Sequence, residues 1–391
     1  MVTGTRPHPP YRYIDSQREF DAFAKRIAKE PLVAVDTEAA SFHRFVDRIY
    51  LIQVSSRQDT AILDPLTVGD VAPLGAIIAD PAVETVFHDA DYDLRILDRD
   101  YGIHARHLFD TRIAAQLLGE KAVGLAALLE KHLGVTLDKK HQRADWSRRP
   151  LPEEMLDYAA HDTRHLPKLR DILRAELEGR GRLSWAEEEF ARLEGIRWTP
   201  LETNGDGYLR VKGARLLTRR GLALLRELVH WRDDVARELD RASFRVVGNE
   251  ALLAVAGKTP RTKEELKKIA GVPARLVETR GDAFLAAIER GVAVPEKDLP
   301  RFPRGERRPA DPAFDARVEK LKAARNAAAE RLGLDQGVLC PKGTLEAVAR
   351  ARPKSLEAMA TIPEMRRWQA QVMGAELLAA LADDVSPPRK P

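Results

Sequence analysis

Paired cysteines and long apolar runs are both missing from this chain of 391 residues. Cys340 is the only cysteine, so no intrachain disulfide can form and nothing indicates an oxidising compartment. The segment from Met1 to Tyr13 holds prolines and basic residues in place of the apolar centre of a signal peptide. No uninterrupted apolar span is long enough for a membrane helix. We therefore expect a cytoplasmic protein that does not enter a membrane.

A dominant charge is missing as well, because 64 basic residues balance 60 acidic ones and leave a net charge of +4. This mild excess permits an anionic partner without establishing one, since nucleic-acid binding depends on where the basic residues cluster. The hydrophobic share of 44% and the charged share of 32% are typical of a soluble globular protein. The length predicts two or three units, each able to bury a core.

The stretch from Leu32 to Glu38 predicts a buried strand, since apolar residues run up to two acids without glycine or proline. Strand side chains alternate, so Asp36 and Glu38 point to the same side. Two neighbouring carboxylates repel each other and lose hydration, an arrangement that is favoured where a cation or a shared proton compensates. A lone D-x-E pattern also fits a simple turn cap, so the pair predicts a metal site only together with further acids.

The chain up to about residue 205 has the pattern of one α/β domain. Strands predicted at 49–55 and 60–65 follow closely and indicate an antiparallel meander. A short strand predicted at 85–88 leads into a helix over 91–99, and the segments 110–133 and 153–179 have helical spacing.

The remainder of the chain has helical patterns that repeat. Thr262 and Ser355 each follow a proline by two residues and open a short predicted helix, which indicates a duplicated helical module. Five prolines among many charges predict a semi-rigid, exposed linker between the two copies. The predicted limits are 1–205 for the α/β domain, 206–293 for the first module, 294–312 for the linker and 313–391 for the second module.

Three more residues complete an acidic set. Asp93 lies in the first turns of the helix after the short strand, near Asp89 and Asp91, for which offsetting the helix dipole is an equally good interpretation. Tyr158 and Asp162 are four residues apart on a predicted helix, so a hydroxyl and a carboxylate share one face. Each pattern alone carries little information, and their weight comes from the ordered combination.

This combination resembles the DEDD exonucleases, in the subtype that carries a tyrosine. The segments 51–55, 62–65, 109–111 and 144–151 resemble the ribonuclease D branch in particular. The helical modules resemble the HRDC domain that this family shares with certain helicases, the first copy more closely than the second. The resemblance implies a ribonuclease H-like α/β exonuclease domain with a mixed sheet flanked by helices, followed by two small all-α HRDC-like domains.

The resemblance also implies a chemistry. Asp36, Glu38, Asp93 and Asp162 would ligate two divalent ions, Mg²⁺ or Mn²⁺, and Tyr158 would help to position the attacking water. The activity implied is metal-dependent 3′-to-5′ removal of nucleotides from single-stranded RNA ends, with tRNA precursors as substrates, and we expect a monomer. An unperturbed tyrosine titrates near ~10, so an orienting hydrogen bond is expected of the phenol.

Residues near this set have further predicted roles. Gln53 is expected to be held by hydrogen bonds at its strand end, and Asp110, Asp145 and Asp157 are expected to be structural.

Basic residues surround Trp146, offering charge for phosphates and an aromatic face for a base. A solvated loop with Trp146 packed in the core is the alternative, because charge runs usually face water. The nucleic-acid-binding candidates are Lys139, Lys140, Arg143, Trp146, Arg148 and Arg149.

Two other functions fit parts of the sequence. A DNA exonuclease of related fold is one, since no residue here identifies a contact to the 2′-hydroxyl that distinguishes RNA. A non-catalytic binding module with a vestigial acidic site is the other. The intact set of four acids and a tyrosine favours the enzyme.

Overall fold

The computed structural model describes residues 11–138, 140–200, 205–303 and 312–382. An α/β domain occupies the amino-terminal half. Its strands are β1 Arg12–Ile14, β2 Leu32–Ala39, β3 Ile49–Ser55, β4 Thr60–Leu63, β5 Glu84–Phe87 and β6 Leu108–Asp110. Its helices are α1 Gln17–Ile27, α2 Pro65–Val68, α3 Ala72–Ile78, α4 Asp91–Tyr101, α5 Thr111–Leu117, α6 Leu125–Leu133, α7 Glu153–Arg164, α8 Leu166–Gly179 and α9 Leu183–Leu193.

The strands form one mixed sheet in the order β1-β4-β3-β2-β5-β6 within the described ranges. β2, β3 and β4 pair antiparallel, which confirms the predicted meander, whereas β1, β5 and β6 pair parallel to their neighbours. β2 lies centrally because its apolar run from Leu32 to Val35 is buried throughout, as expected for a strand covered on both faces. β1 and β6 have three residues each, too few for a pattern that sequence reasoning detects.

Each face of the sheet buries its own cluster. Leu51 and Ile62 pack under α7 on one face, together with Trp146 and Ala159. The alternate residues of the same strands, such as Ile52, join the larger cluster on the opposite face. α7 is thereby fixed over β2, β3 and β4, and it contributes the late residues of the acidic set.

Two helical modules follow, and their matching elements confirm the predicted duplication. The side chains of Thr262 and Ser355 cap equivalent short helices, accepting hydrogen bonds from the amides of Glu265 and Ala358. The first module contains α10 Arg219–Glu238, α11 Ser243–Val246, α12 Asn249–Lys258, α13 Lys263–Lys267 and α14 Ala274–Ala293. The second contains α15 Pro312–Leu332, α16 Gln336–Leu339, α17 Lys342–Ala351, α18 Leu356–Ala360 and α19 Arg367–Ala382.

The second module packs directly against the α/β domain. The rings of Trp185 and Trp368 stack with centroids 5.0 Å apart. The Trp368 Nε1–H donates to Glu189 at 2.9 Å, and Arg366 makes an ion pair with the same carboxylate at 3.2 Å. The backbone at Gly119 approaches Gly333 so closely that an added Cβ would lie 2.2 Å from the Gly333 oxygen. One continuous hydrophobic cluster spans both units.

The predicted linker 294–312 is exposed in fewer places than expected. Leu299 is buried, its carbonyl accepts from Arg219 at 2.7 Å, and Phe302 packs against the core of the first module. Most of the other residues in 294–303 are exposed, as predicted, so Leu299 and Phe302 attach an otherwise exposed segment to the first module. Residues 304–311 lie outside the described residues. Within the described ranges, the helices are all too short or too polar to cross a membrane.

Candidate active site and metal centre

Three carboxylates meet where β2 ends and α7 passes over it. Asp36, Glu38 and Asp162 each offer an oxygen, and these oxygens lie within 4.8 Å of one another. Alternation along β2 places the first two on the face beneath α7, as predicted. The pairing of β2 with β3 shifts register after Glu38, and such an irregularity bends a strand away from its partner. The chain therefore leaves the sheet directly beside the acids.

The fourth acid, Asp93, lines the same cavity from the first turn of α4. It is 7% exposed and accepts a hydrogen bond from the Thr37 hydroxyl. Thr37 stands between the two β2 acids, and its role was not predicted because a single threonine in a strand carries no distinctive signal. The structure thus brings all four predicted acids to one cavity, with Thr37 fixing one of them.

Burial and mutual repulsion raise the pKa of every carboxyl in the set. The pKa values of Asp36, Glu38 and Asp93 lie well above their ordinary range. Loss of hydration is the main cause of this rise, and repulsion from the neighbouring acids raises the values further. The same two causes raise the pKa of Asp162 to about 7. Four clustered carboxyl groups form an all-oxygen donor set, and such a set fits hard divalent cations such as Mg²⁺ or Mn²⁺.

Tyr158 lines the cavity one helical turn before Asp162. Burial and then the charges of Asp162, Glu38 and Asp36 raise its pKa far above the ordinary value, so the phenol stays protonated. A protonated phenol can donate a hydrogen bond to an anionic oxygen, which agrees with the orienting role predicted for it.

His88 also lines the cavity, as a neutral imidazole whose pKa is lowered to about 4 by burial. The Thr111 hydroxyl donates to the Phe87 carbonyl at 3.1 Å, so it must accept from His88 Nδ1–H at 2.9 Å. This leaves His88 Nε2 as an acceptor. His161 stacks on His165 with ring centroids 5.5 Å apart. Both histidines are therefore held in place by neighbouring side chains.

Gln53 differs from its prediction. Its side chain is fully buried, and neither the amide nitrogen nor the amide oxygen has a hydrogen-bond partner within the described residues. It stands opposite Asp36 in the β2–β3 ladder. The expected strand-end hydrogen bonds are therefore absent from the described part of the chain, because the position lies mid-strand beneath α7. Asp110, in contrast, accepts from the amides of Ala90 and Ile113 and holds the turn before α4, a structural role as predicted.

The predicted nucleic-acid-binding stretch divides into two groups. Trp146 is 1% exposed and its ring lies 6.1 Å from that of Tyr158, so it has no face for a base and supports the site from below. Arg149 makes an ion pair with buried Asp64 at 2.5 Å and donates to the Tyr50 carbonyl at 2.9 Å. The prediction that Trp146 contacts nucleic acid is wrong in this structure, because the core surrounds its ring. Arg149 is an exposed residue whose guanidinium is paired with Asp64, and nucleic-acid binding by Arg149 stays a prediction.

The other basic residues of the stretch are at the surface. Arg143 and Arg148 are exposed, and Lys140 makes an exposed ion pair with Glu154 at 3.3 Å. Lys139 lies outside the described residues. Nucleic-acid binding by Lys139, Lys140, Arg143 and Arg148 stays a prediction.

The cavity over the acids has a volume of about 780 Å³ and a second domain beside its mouth. Phe42 lines it from the loop after β2, and Phe244 of the first helical module contacts Phe42. Sequence reasoning missed both residues, since isolated phenylalanines in unrelated segments give no sign of meeting.

Comparison with known proteins identifies this arrangement. A family model described as 3′-5′ exonuclease matches residues 11–178, and an HRDC domain model matches residues 221–288 and 314–381. Ribonuclease D of Granulibacter bethesdensis is 33% identical over 376 residues, covering 95% of this chain and 92% of the relative. The chain belongs to the ribonuclease D family.

Solved structures support the assignment to the ribonuclease D family. A protein from Bifidobacterium adolescentis matches with a TM-score of 0.80 at 25% identity, covering 95% of this chain and 97% of that one. Escherichia coli RNase D, described as an exoribonuclease involved in structured RNA processing, matches with a TM-score of 0.70 at 27% identity, covering 95% and 99%. The expected exonuclease domain and two HRDC domains are thus confirmed.

Proposed function

We propose that this ribonuclease D family member is a metal-dependent 3′-5′ exoribonuclease. The observation that carries the proposal is the convergence of Asp36, Glu38 and Asp162 within 4.8 Å, with Asp93 lining the same cavity. These four residues would hold two divalent ions, with substrate phosphate and water completing the coordination. Bound ions of this kind lower the pKa of a coordinated water and stabilise the leaving oxygen of a phosphodiester.

The residues of the chain have distinct tasks in this proposal. The four carboxylates supply negative charge that metal binding neutralises, and Thr37 holds Asp93 in place. Tyr158, protonated at neutral pH, donates a hydrogen bond that orients a reacting oxygen. Burial of the set beneath α7 keeps the donors fixed and strengthens their interactions with charge.

The substrates proposed are the single-stranded 3′ ends of RNA, with tRNA precursors among them, and the protein is proposed to act as a monomer in the cytoplasm. The RNA preference is supported by the ribonuclease D relatives and by the likeness to Escherichia coli RNase D, itself an exoribonuclease. The domain limits at residues 205, 293 and 312 belong to the same proposal, and the described helices are compatible with them.

The test uses 5′-labelled RNA and DNA of one sequence, each incubated with Mn²⁺, Mg²⁺ or EDTA. We expect a metal-dependent ladder of shortened RNA with the natural protein, weaker trimming of DNA, and no ladder with Asp36→Asn. RNA binding in EDTA should survive the substitution. Unchanged trimming by Asp36→Asn would refute the site assignment, and an absence of trimming in any metal would favour a binding module.

A further inference from the structure

Large exposed aromatic side chains gather at the mouth of the acidic cavity. Phe42 is 46% exposed, Tyr92 45% and Phe244 52%. Phe42 and Tyr92 line the cavity, and Phe244 contacts Phe42 from the first HRDC domain. An aromatic side chain left in water forgoes a large burial energy, and grouped exposure of this kind marks a binding surface.

The two phenylalanines meet edge to face across the domain boundary. Their ring centroids are 6.2 Å apart and the planes are inclined by 79°. Phe42 belongs to the loop that follows β2, and Phe244 belongs to α11. The two rings, which we call the Phe42–Phe244 platform, continue the cavity wall from the acids onto the HRDC domain.

Backbone and charged contacts fix the spacing of the platform. The Ala242 amide donates to the His43 carbonyl at 3.3 Å, and the Arg245 Nε–H donates to the Phe42 carbonyl. Arg44 makes an ion pair with Asp240 at 3.0 Å. The exonuclease loop and α11 are therefore held together by groups that leave both rings exposed.

Guanidinium groups flank the rings. The Arg143 guanidinium carbon lies 5.4 Å from the Phe42 centroid, and that of Arg245 lies 6.0 Å from the Phe244 centroid. Neither arginine has a carboxylate within ion-pair distance in the part of the chain that the structure describes. Aromatic faces with cations beside them are the means by which proteins bind single strands, bases stacking on rings and phosphates contacting the cations.

We propose that the Phe42–Phe244 platform is a stacking site for bases of the single strand that leads into the acidic cavity. Phe42 shares the cavity with Asp36 and Glu38 and takes a base closer to the 3′ end, whereas Phe244 takes one further from it. Arg143 and Arg245 contact the phosphates between them. The ligand is single-stranded nucleic acid, recognised with little base preference because every base has a π-face. This inference rests on the proposed function for the direction of the strand.

The test measures binding of a fluorescent 12-nucleotide RNA to the full chain in EDTA, where no hydrolysis occurs. Phe42→Ala and Phe244→Ala are each expected to raise Kd on the order of ten-fold, the usual loss for one stacked base. Phe244→Tyr keeps the aromatic face and should restore affinity, whereas Phe244→Leu keeps only apolar bulk and should not. Leu216→Ala, at a 91% exposed site in the same domain, is the matched control and should bind like the natural protein.

A single 2-aminopurine in the RNA gives a second readout. Its fluorescence should be quenched at the position that stacks on Phe244, and Phe244→Leu should relieve the quenching. Unchanged Kd in both alanine variants, or restoration by leucine as well as tyrosine, would overturn the proposal. A change in molecular mass with Phe244→Ala at unchanged Kd would assign the surface to contact between copies of the chain instead.

The outcomes separate this inference from the proposed function. Binding that depends on the platform in a protein that never trims RNA would contradict only the exoribonuclease assignment. Metal-dependent trimming with alanine variants that bind normally would contradict only the platform.

Discussion

Replacing Asp162 by asparagine should stabilise the metal-free protein at alkaline pH. Burial and the neighbouring Asp93 raise the pKa of Asp162 to about 7 in the folded state, from an ordinary value of 3.8. The folded protein therefore holds this proton more tightly than the unfolded chain. The contribution of Asp162 to stability is highest below about pH 4, falls as the pH rises from there to about 7, and stays low above that.

The magnitude follows from the size of the shift. A pKa that is higher by about three units in the folded state lowers the free energy of unfolding by roughly 4 kcal/mol above pH 7, at ~1.4 kcal/mol per unit. Asparagine has a similar shape and no charge, so Asp162→Asn avoids this loss. The free energy of unfolding of the variant should exceed that of the natural protein by about 4 kcal/mol at pH 8, and this difference should shrink steadily towards pH 4.

Urea unfolding followed by tryptophan fluorescence in EDTA, at several values of pH from 4 to 8, measures the gap. Glu154→Gln is the control, since it removes an exposed carboxylate from the same helix and should change little. In a parallel series without EDTA, free Mn²⁺ at about 100 times its Kd should stabilise the natural protein by about 2.7 kcal/mol and the variant much less. If the two proteins had the same free energy of unfolding at pH 8, or differed by the same amount at every pH, the electrostatic reasoning would be refuted.

Three further predictions test the surrounding structure. Gly119→Ala should lower the midpoint of thermal unfolding more than Gly134→Ala. Both glycines have positive φ, but only a Cβ at position 119 would clash with backbone of the second HRDC domain. Gln53→Met should raise the unfolding midpoint in EDTA by removing two buried polar atoms without partners, and a lower midpoint would show that the amide is bonded. Arg149→Met should lower the free energy of unfolding by about 3–5 kcal/mol, because the buried Asp64 loses its ion-pair partner. Hydrogen bonds and the Arg149 charge hold the pKa of Asp64 below its usual range, so this stabilisation is lost as the natural protein is acidified, and the variant should show less of that loss.

Local patterns carry much of the fold because the relevant physics is local. Alternation along residues 32–38 places Asp36 and Glu38 on one face whatever surrounds the strand, and i,i+4 spacing does the same for Tyr158 and Asp162. The caps at Thr262 and Ser355 likewise depend only on side chains reaching nearby amides. The predicted meander, the acidic set and the duplicated module could therefore be predicted from the sequence.

Long-range packing decided the rest. Trp146 and Arg149 have the composition of a nucleic-acid-binding loop, but Trp146 is buried against Tyr158, and the Arg149 guanidinium is paired with Asp64, which is far away in sequence. Gln53 is a polar residue whose burial follows from the position of α7 above β3. The pairing of residues such as Phe42 and Phe244 depends on how two domains dock, and no periodicity within either segment encodes that contact. By itself the sequence determined which side chains share an element's face, whereas the tertiary structure decided which faces meet.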